Sequence, residues 1–156
     1  MTNARSPLSW LAVAIGAAIG TAARCGLDLL IPHDLDGVPW STLLANTLGS
    51  FALGFLAAGT WAVVPPWVRA GLGAGVLGSF TTFSSLMIIA VATAQGGPLV
   101  GGPGSVEPGS LAQAAGVVIG SIFAGLLAAV IGILLGRRLA RRGAGAPPTV
   151  DDAEDA

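Results

Sequence analysis

The hydrophobic and polar positions along the chain fall into four long apolar stretches, Leu8 to Ile31, Trp40 to Ala62, Val68 to Ala94 and Leu111 to Gly136. Each exceeds the roughly 20 residues that a helix needs to cross the hydrocarbon core of a bilayer. None alternates with the period of a strand. Inside lipid a segment must also satisfy its own backbone hydrogen bonds, which excludes open sheets. The pattern predicts an all-α membrane protein with four transmembrane helices per subunit. Only Arg5 precedes the first stretch as a basic residue, and the apolar run is too long for a leader peptide, so it reads as a retained span.

The links between the stretches set their relative direction. Pro32, Asp34, Asp36, Gly37 and Pro39 form a short turn, and Pro65-Pro66 a shorter one, so neighbouring helices are expected to run antiparallel. Gln95 to Ser110 is rich in Gly and Pro and reads as a surface loop. The domain layout is then a cytoplasmic N-terminus (1–7), a four-helix membrane domain (8–138) and a disordered C-terminal tail (139–156) of Ala, Gly, Pro and acidic residues.

Composition agrees with a lipid environment. Of the 156 residues 53% are hydrophobic and 10% charged, against about a quarter charged in a soluble domain. Mean hydropathy is +0.80. The charges also orient the chain. With both termini cytoplasmic, Arg5, Arg69, Arg137, Arg138, Arg141 and Arg142 lie inside, while the outer links carry Asp34, Asp36 and Glu107 but no basic residue. Cys25 is alone, which excludes an internal disulfide and a Cys-based metal site. A single His, His33, and no Tyr leave too few groups to assemble a nucleophile, base and orienter, so an enzyme is not expected. No basic patch with interleaved aromatics points to nucleic acid.

Small residues recur at spacing four: Ala12, Gly16 and Gly20; Ser50, Gly54 and Ala58; Gly71, Gly75 and Ser79; and Gly116, Gly120, Ala124, Ala128, Gly132 and Gly136. Such stripes let helix backbones approach closely where lipid supplies no hydrophobic drive for association. Polar residues inside the spans are few. Arg24, with Asp28 one turn on, is either a structural ion pair or a fixed positive charge that draws an anion. Asn46 either joins helices or offers an N–H to a passing ion. The densest signal is Gly75-Val76-Leu77-Gly78-Ser79-Phe80-Thr81-Thr82-Phe83-Ser84-Ser85, where two glycines precede five hydroxyls in seven positions. Gly, Ser and Thr in mid-membrane mark helices that break, and a break exposes carbonyls able to coordinate a cation. Phe80 and Phe83, spaced i, i+3, are expected on one helical face, either as packing or with ring edges turned to an anion.

That segment resembles the third-helix signature of the small bacterial fluoride channels (the Fluc family), G-x-x-G-G-(F/L)-T-T-F-S-T. Two further motifs agree. Gly16-Ala17-Ala18-Ile19-Gly20-Thr21-Ala22-Ala23-Arg24 is similar to the family's G-x-x-x-G-x-x-x-R, and Asn46-Thr47-Leu48-Gly49-Ser50-Phe51 to its N-x-x-G-(S/A)-F. The resemblance implies an antiparallel dimer of four-helix subunits in the bacterial inner membrane, with the third helix broken at its centre. It further implies two narrow pores that export cytoplasmic fluoride passively, and a structural sodium ion at the dimer axis that is not transported. By position, Gly78 and Thr81 give carbonyls to sodium, and Phe80 and Phe83 line the fluoride path. Asn46 donates to fluoride, Thr82, Ser84, Ser85 and Ser121 supply hydroxyls, and Arg24 makes an electropositive vestibule. Fluoride is small and strongly hydrated, so its pathway has to replace water with closely spaced donors.

The chain departs from the family's pattern at four places. Ser79 stands for the second Gly of the pair, Cys25 for an aromatic, Leu86-Met87-Ile88 for a frequent Phe-Ser-Glu, and Val117 about where a Tyr is common. These departures keep open a non-conducting or partner-dependent subunit, paired with an oppositely oriented paralogue instead of with itself. A small multidrug exporter is the remaining alternative. It needs a membrane-embedded acid in the first span, where Asp28 is the sole candidate and lies beside Arg24.

Overall fold

The structure, a computed structural model, describes residues 6–31, 40–84, 87, 91 and 108–143. Helix α1 (Pro7–Leu30) starts where Ser6 caps it, the Ser6 hydroxyl accepting the Ser9 N–H at 3.2 Å, with Pro7 in the first turn. Helix α2 spans Trp40–Gly59. A continuous helical run follows: α3 (Pro66–Ala70), a π-helical segment π1 (Gly71–Leu77) and a last turn α4 (Gly78–Phe80). Helix α5 spans Pro108–Gly143. No strand occurs among the described residues, and three helices are long and apolar enough to cross a membrane: Pro7–Leu30, Trp40–Gly59 and Ala115–Arg142. The chain is an all-helical, multi-pass membrane protein.

Several boundaries differ from those expected, each for a local reason. α2 stops at Gly59 instead of Ala62, where the i, i−4 ladder gives way: the Trp61 N–H reaches back five residues to the Leu56 carbonyl at 3.1 Å and the Val63 N–H only three, to the Thr60 carbonyl at 3.0 Å. Arg69 donates to the Trp61 carbonyl and ties that turn to α3. The expected span Val68 to Ala94 begins two residues early, at Pro66, where Pro suits a first helical turn. It leaves the helix after Phe80, because Thr81 is extended (φ −85°, ψ 151°). A helical hydrogen bond, Met87 N–H to Phe83 carbonyl at 3.0 Å, recurs beyond. The last helix runs through all four clustered arginines to Gly143, so residues 139–143 are helical and not tail. Its 36 residues, at 1.5 Å each, make about 54 Å, well beyond a hydrocarbon core of about 30 Å. Residues 1–5, the turn 32–39 with Asp34 and Asp36, Ser85, Leu86, most of 88–107 and the tail 144–156 lie outside the described residues.

The helices associate as two pairs, α1 along the α3–π1–α4 run and α2 along α5. Glycine makes both contacts possible. A Cβ on Gly16 would strike the Gly71 carbonyl and one on Gly20 the Val76 carbonyl, while one on Gly75 would lie 2.9 Å from the Val13 carbonyl. In the other pair, Gly132 and Gly136 sit against the Phe51 and Phe55 carbonyls, and Gly54 against that of Ala129. The six-membered small stripe of α5 is therefore divided. Its C-terminal half packs on α2, whereas Gly116 and Gly120 face open space and Ala124 is exposed.

A single methyl group tests this division. Gly132→Ala is expected to lower stability by about 1–3 kcal/mol, because backbone and not a flexible side chain opposes it. Gly26→Ala meets nothing within 4 Å and is expected to be neutral or to stabilise by up to about 1 kcal/mol through helix propensity. Thermal unfolding in detergent measures both, and equal destabilisation would contradict the packing described.

Candidate functional site

The end of the helical run at Phe80 releases peptide groups from the α-helical ladder, and side chains from two other helices meet them. From α2, the Asn46 carboxamide makes two 2.8 Å hydrogen bonds to one residue: Nδ2 donates to the Thr82 carbonyl, and Oδ1 accepts the Thr82 N–H. From α1, the Arg24 guanidinium donates to the Phe80 carbonyl at 3.5 Å and to the Thr42 hydroxyl at 3.0 Å. Its Nε lies 3.6 Å from Asp28 Oδ2. Thr81 turns back on its own chain, its N–H and hydroxyl both reaching the Leu77 carbonyl at 3.0 and 2.9 Å. The Thr82 and Ser84 hydroxyls are 3.0 Å apart.

Beside this junction lies a cleft of about 730 Å³ between α2, the helical run and α5. Asn46, Gly78, Thr81, Thr82, Phe83 and Ser121 line it, among walls that include Leu53, Leu77, Ile122 and Leu126. Gly49 on the floor makes room for Thr81, whose methyl occupies the place a Cβ would take. Polar donors from three segments thus face one largely apolar space, the composition expected of a small-ligand site.

Most of the residues singled out in the sequence come together here. Arg24 does not line the cleft. It stands behind the junction with 12% of its side chain exposed, engaged with the Phe80 carbonyl, Thr42 and Asp28. The ion-pair reading of Arg24 is met, since it lies beside Asp28, and it also holds the Phe80 carbonyl. Phe80 and Phe83 do not share a helical face, because the chain between them is extended. Phe83 lines the cleft, 63% exposed, whereas the Phe80 ring lies towards Gly49 and is not part of the lining. Ser84 adjoins the site through Thr82, and Ser85 lies outside the described residues.

Two residues escaped the sequence reading of the site. Thr42 fixes Arg24, and its place one helical turn before Asn46 was the available signal. Ser50 lies close against Gly125 in the wall of the cleft, and the sequence marks it as a small residue and a motif position but not as part of a site. Among the described residues no three His, Cys, Asp or Glu side chains gather. A cation held here would therefore be met by carbonyl and hydroxyl oxygens, which suit a hard ion such as sodium. The last carbonyls of a helix, where Gly78 and Thr81 stand, are the groups that lack intrahelical partners.

The family model described as "CrcB-like protein, Camphor Resistance (CrcB)" matches residues 11–133. Among curated proteins, the Fluoride-specific ion channel FluC of Thermus thermophilus is 39% identical over 132 residues, covering 83% of this chain and 96% of the relative. The protein of that name from Deinococcus radiodurans is 41% identical over 136 residues, again covering 83% and 96%. That of Paracoccus denitrificans is 34% identical over 131 residues, covering 84% and 96%.

The arginine makes a measurable demand. Arg24→Ala leaves the Phe80 carbonyl and Asp28 without their partner and is expected to cost about 1.5–3 kcal/mol, the range for hydrogen bonds to charged groups. Arg24→Lys is expected to recover only part of this, since an ammonium lacks the planar fork that reaches a carbonyl, a hydroxyl and a carboxylate together. Full recovery by Lys in thermal unfolding would return Arg24 to a simple charge.

Proposed function

The chain belongs to the CrcB-like family, and on that premise we propose that it is a fluoride-selective passive ion channel of the bacterial inner membrane, which lets cytoplasmic fluoride leave the cell and relieves its toxicity. The observation that carries the reading is the cleft in which Asn46, Thr82, Phe83 and Ser121 converge. A small, strongly hydrated anion crosses a low-dielectric region only where donors replace its water. Asn46 has two amide hydrogens and gives one to the Thr82 carbonyl, which leaves the other for the cleft it lines. The Ser121 hydroxyl lies across the cleft on α5, and the Phe83 ring offers its positive edge. Apolar walls keep these interactions undiluted by solvent. Arg24 stands behind the junction, and its charge, shared with Asp28, would favour an anion that approaches there.

The working unit is an antiparallel dimer of four-helix subunits, each with a third membrane helix interrupted at Thr81. The open cleft, the exposed Phe83 ring and the outward-facing Gly116 and Gly120 support a second subunit completing the pathway. Gly78 and Thr81 would hold a sodium ion through their carbonyls, the ion supplying a fixed positive charge between the subunits. Two carbonyls from one chain do not fill a coordination shell, so the second subunit supplies the remainder. The arginine distribution favours a partner that is a related, oppositely oriented chain. An antiparallel homodimer requires one sequence to insert both ways, and six arginines on one side against none on the other oppose that.

Purified protein in liposomes is expected to release fluoride rapidly and passively while retaining chloride. Equal release of both ions, or of neither, would sink the channel reading, and proton-coupled movement of organic cations would replace it with an exporter. Phe83→Ile is expected to abolish or severely slow flux while leaving the protein folded, since it removes a ring edge without adding charge. Topology has its own test, in a Cys25→Ser background with one new cysteine in the Gln95 to Ser110 loop. Labelling from the outside alone is expected, and equal labelling from both sides would establish dual insertion and remove the argument for a paralogous partner.

A further inference from the structure

Asn46 lines the cleft, yet its carboxamide makes two hydrogen bonds to the backbone of Thr82. A carboxamide presents a donor and an acceptor side by side. A residue in an extended backbone presents its N–H and C=O to the same side, as in a hydrogen-bonded pair of an antiparallel ladder. Asn46 therefore acts towards Thr82 as a neighbouring strand would. The consequence lies one carbonyl away. The Thr82 N–H belongs to the same planar peptide unit as the Thr81 carbonyl, and in a trans peptide the two bonds point in opposite directions. Holding the N–H against Asn46 Oδ1 at 2.8 Å turns the Thr81 carbonyl away from α2. The other side of Thr81 is anchored independently by its N–H and hydroxyl on the Leu77 carbonyl.

We propose that Asn46 is a positioning residue for the cation site: by accepting the Thr82 N–H it locks the 81–82 peptide plane and so aims the Thr81 carbonyl at the ion. The inference rests on the reading that Thr81 ligates sodium. It gives one side chain two duties on opposite faces. The carboxamide oxygen sets the cation's ligand through the peptide, while the remaining amide hydrogen faces the anion's cleft. Loss of Asn46 then weakens both ions' sites together.

Sodium-dependent thermal stability of the purified protein in detergent, read with sodium titrated against N-methyl-glucamine, tests this apart from flux. The unaltered protein is expected to gain stability saturably with sodium. Asn46→Ala is expected to raise the half-saturating sodium concentration by about tenfold or more, the usual effect of removing a group that orients a metal ligand. Asn46→Ser, too short to span both Thr82 groups, is expected to do the same and serves if the alanine variant does not fold. Asn46→Asp keeps the acceptor for the Thr82 N–H and is expected to retain a sodium response close to the original while losing flux. Phe83→Ile is expected to lose flux with its sodium response intact. A wild-type sodium response in Asn46→Ala or Asn46→Ser, or an Asn46→Asp as weak as Asn46→Ala, would overturn the inference and leave the channel reading standing. No sodium response in the unaltered protein would overturn the cation site, and this inference with it.

Discussion

A helix interrupted inside a bilayer has no water to take the peptide groups it releases, so each must find a partner within the protein. In this chain the helical run from Pro66 ends after Phe80, and partners for the groups released there come from α1, from α2 and from the preceding turn. Arg24 takes the Phe80 carbonyl, Asn46 takes both groups of Thr82, and the Leu77 carbonyl receives Thr81. The arrangement of the other helices follows from the need to bring these side chains within hydrogen-bonding distance of one short extended segment. Thr42 and Asp28 then hold Arg24 in place, so the support extends a second step into α2 and back into α1.

Close approach of backbones makes that convergence possible. α1 lies against π1 with only glycine between the facing carbonyls, and the wide turn of π1 carries three glycines, Gly71, Gly73 and Gly75. π-helical turns are uncommon and gather at functional sites. Here the segment lies directly before the break and alongside the helix that supplies Arg24. α2 meets α5 in the same manner further along, while the diverging part of α5 opens the cleft that Ser121 lines. On the proposed reading, an anion pathway and the carbonyls of a cation site would lie on the two sides of one peptide segment, which is what would let a single carboxamide serve both.

Much of this was legible in the sequence because lipid imposes simple rules. Long apolar runs, the absence of a strand period and the scarcity of charge determined an all-helical membrane protein, and glycines at spacing four on the first helix announced its close contact with the third run. The cluster of Gly, Ser and Thr from Gly75 to Ser85 marked where the helix would end, since Leu or Val would otherwise be cheapest there. What the periodicity misjudged was everything past that end. Phe80 and Phe83 share a face only if the helix continues between them, and the α5 stripe reads as one surface although the helix axes part midway along it.

Which partner each polar group takes was decided by tertiary structure alone. Nothing local distinguishes an Arg24 that pairs with Asp28 from one that also holds the Phe80 carbonyl, because that carbonyl lies 56 positions away in the chain. Asn46 offered an amide to any nearby acceptor. Only the approach of α2 to the segment that follows Phe80 assigned its oxygen to one N–H and its nitrogen to one carbonyl. Sequence determines hydrophobic period and the places where a helix is weak, since both depend on neighbours along the chain. The pairing of released peptide groups depends on which helices lie side by side, and that is a property of the fold.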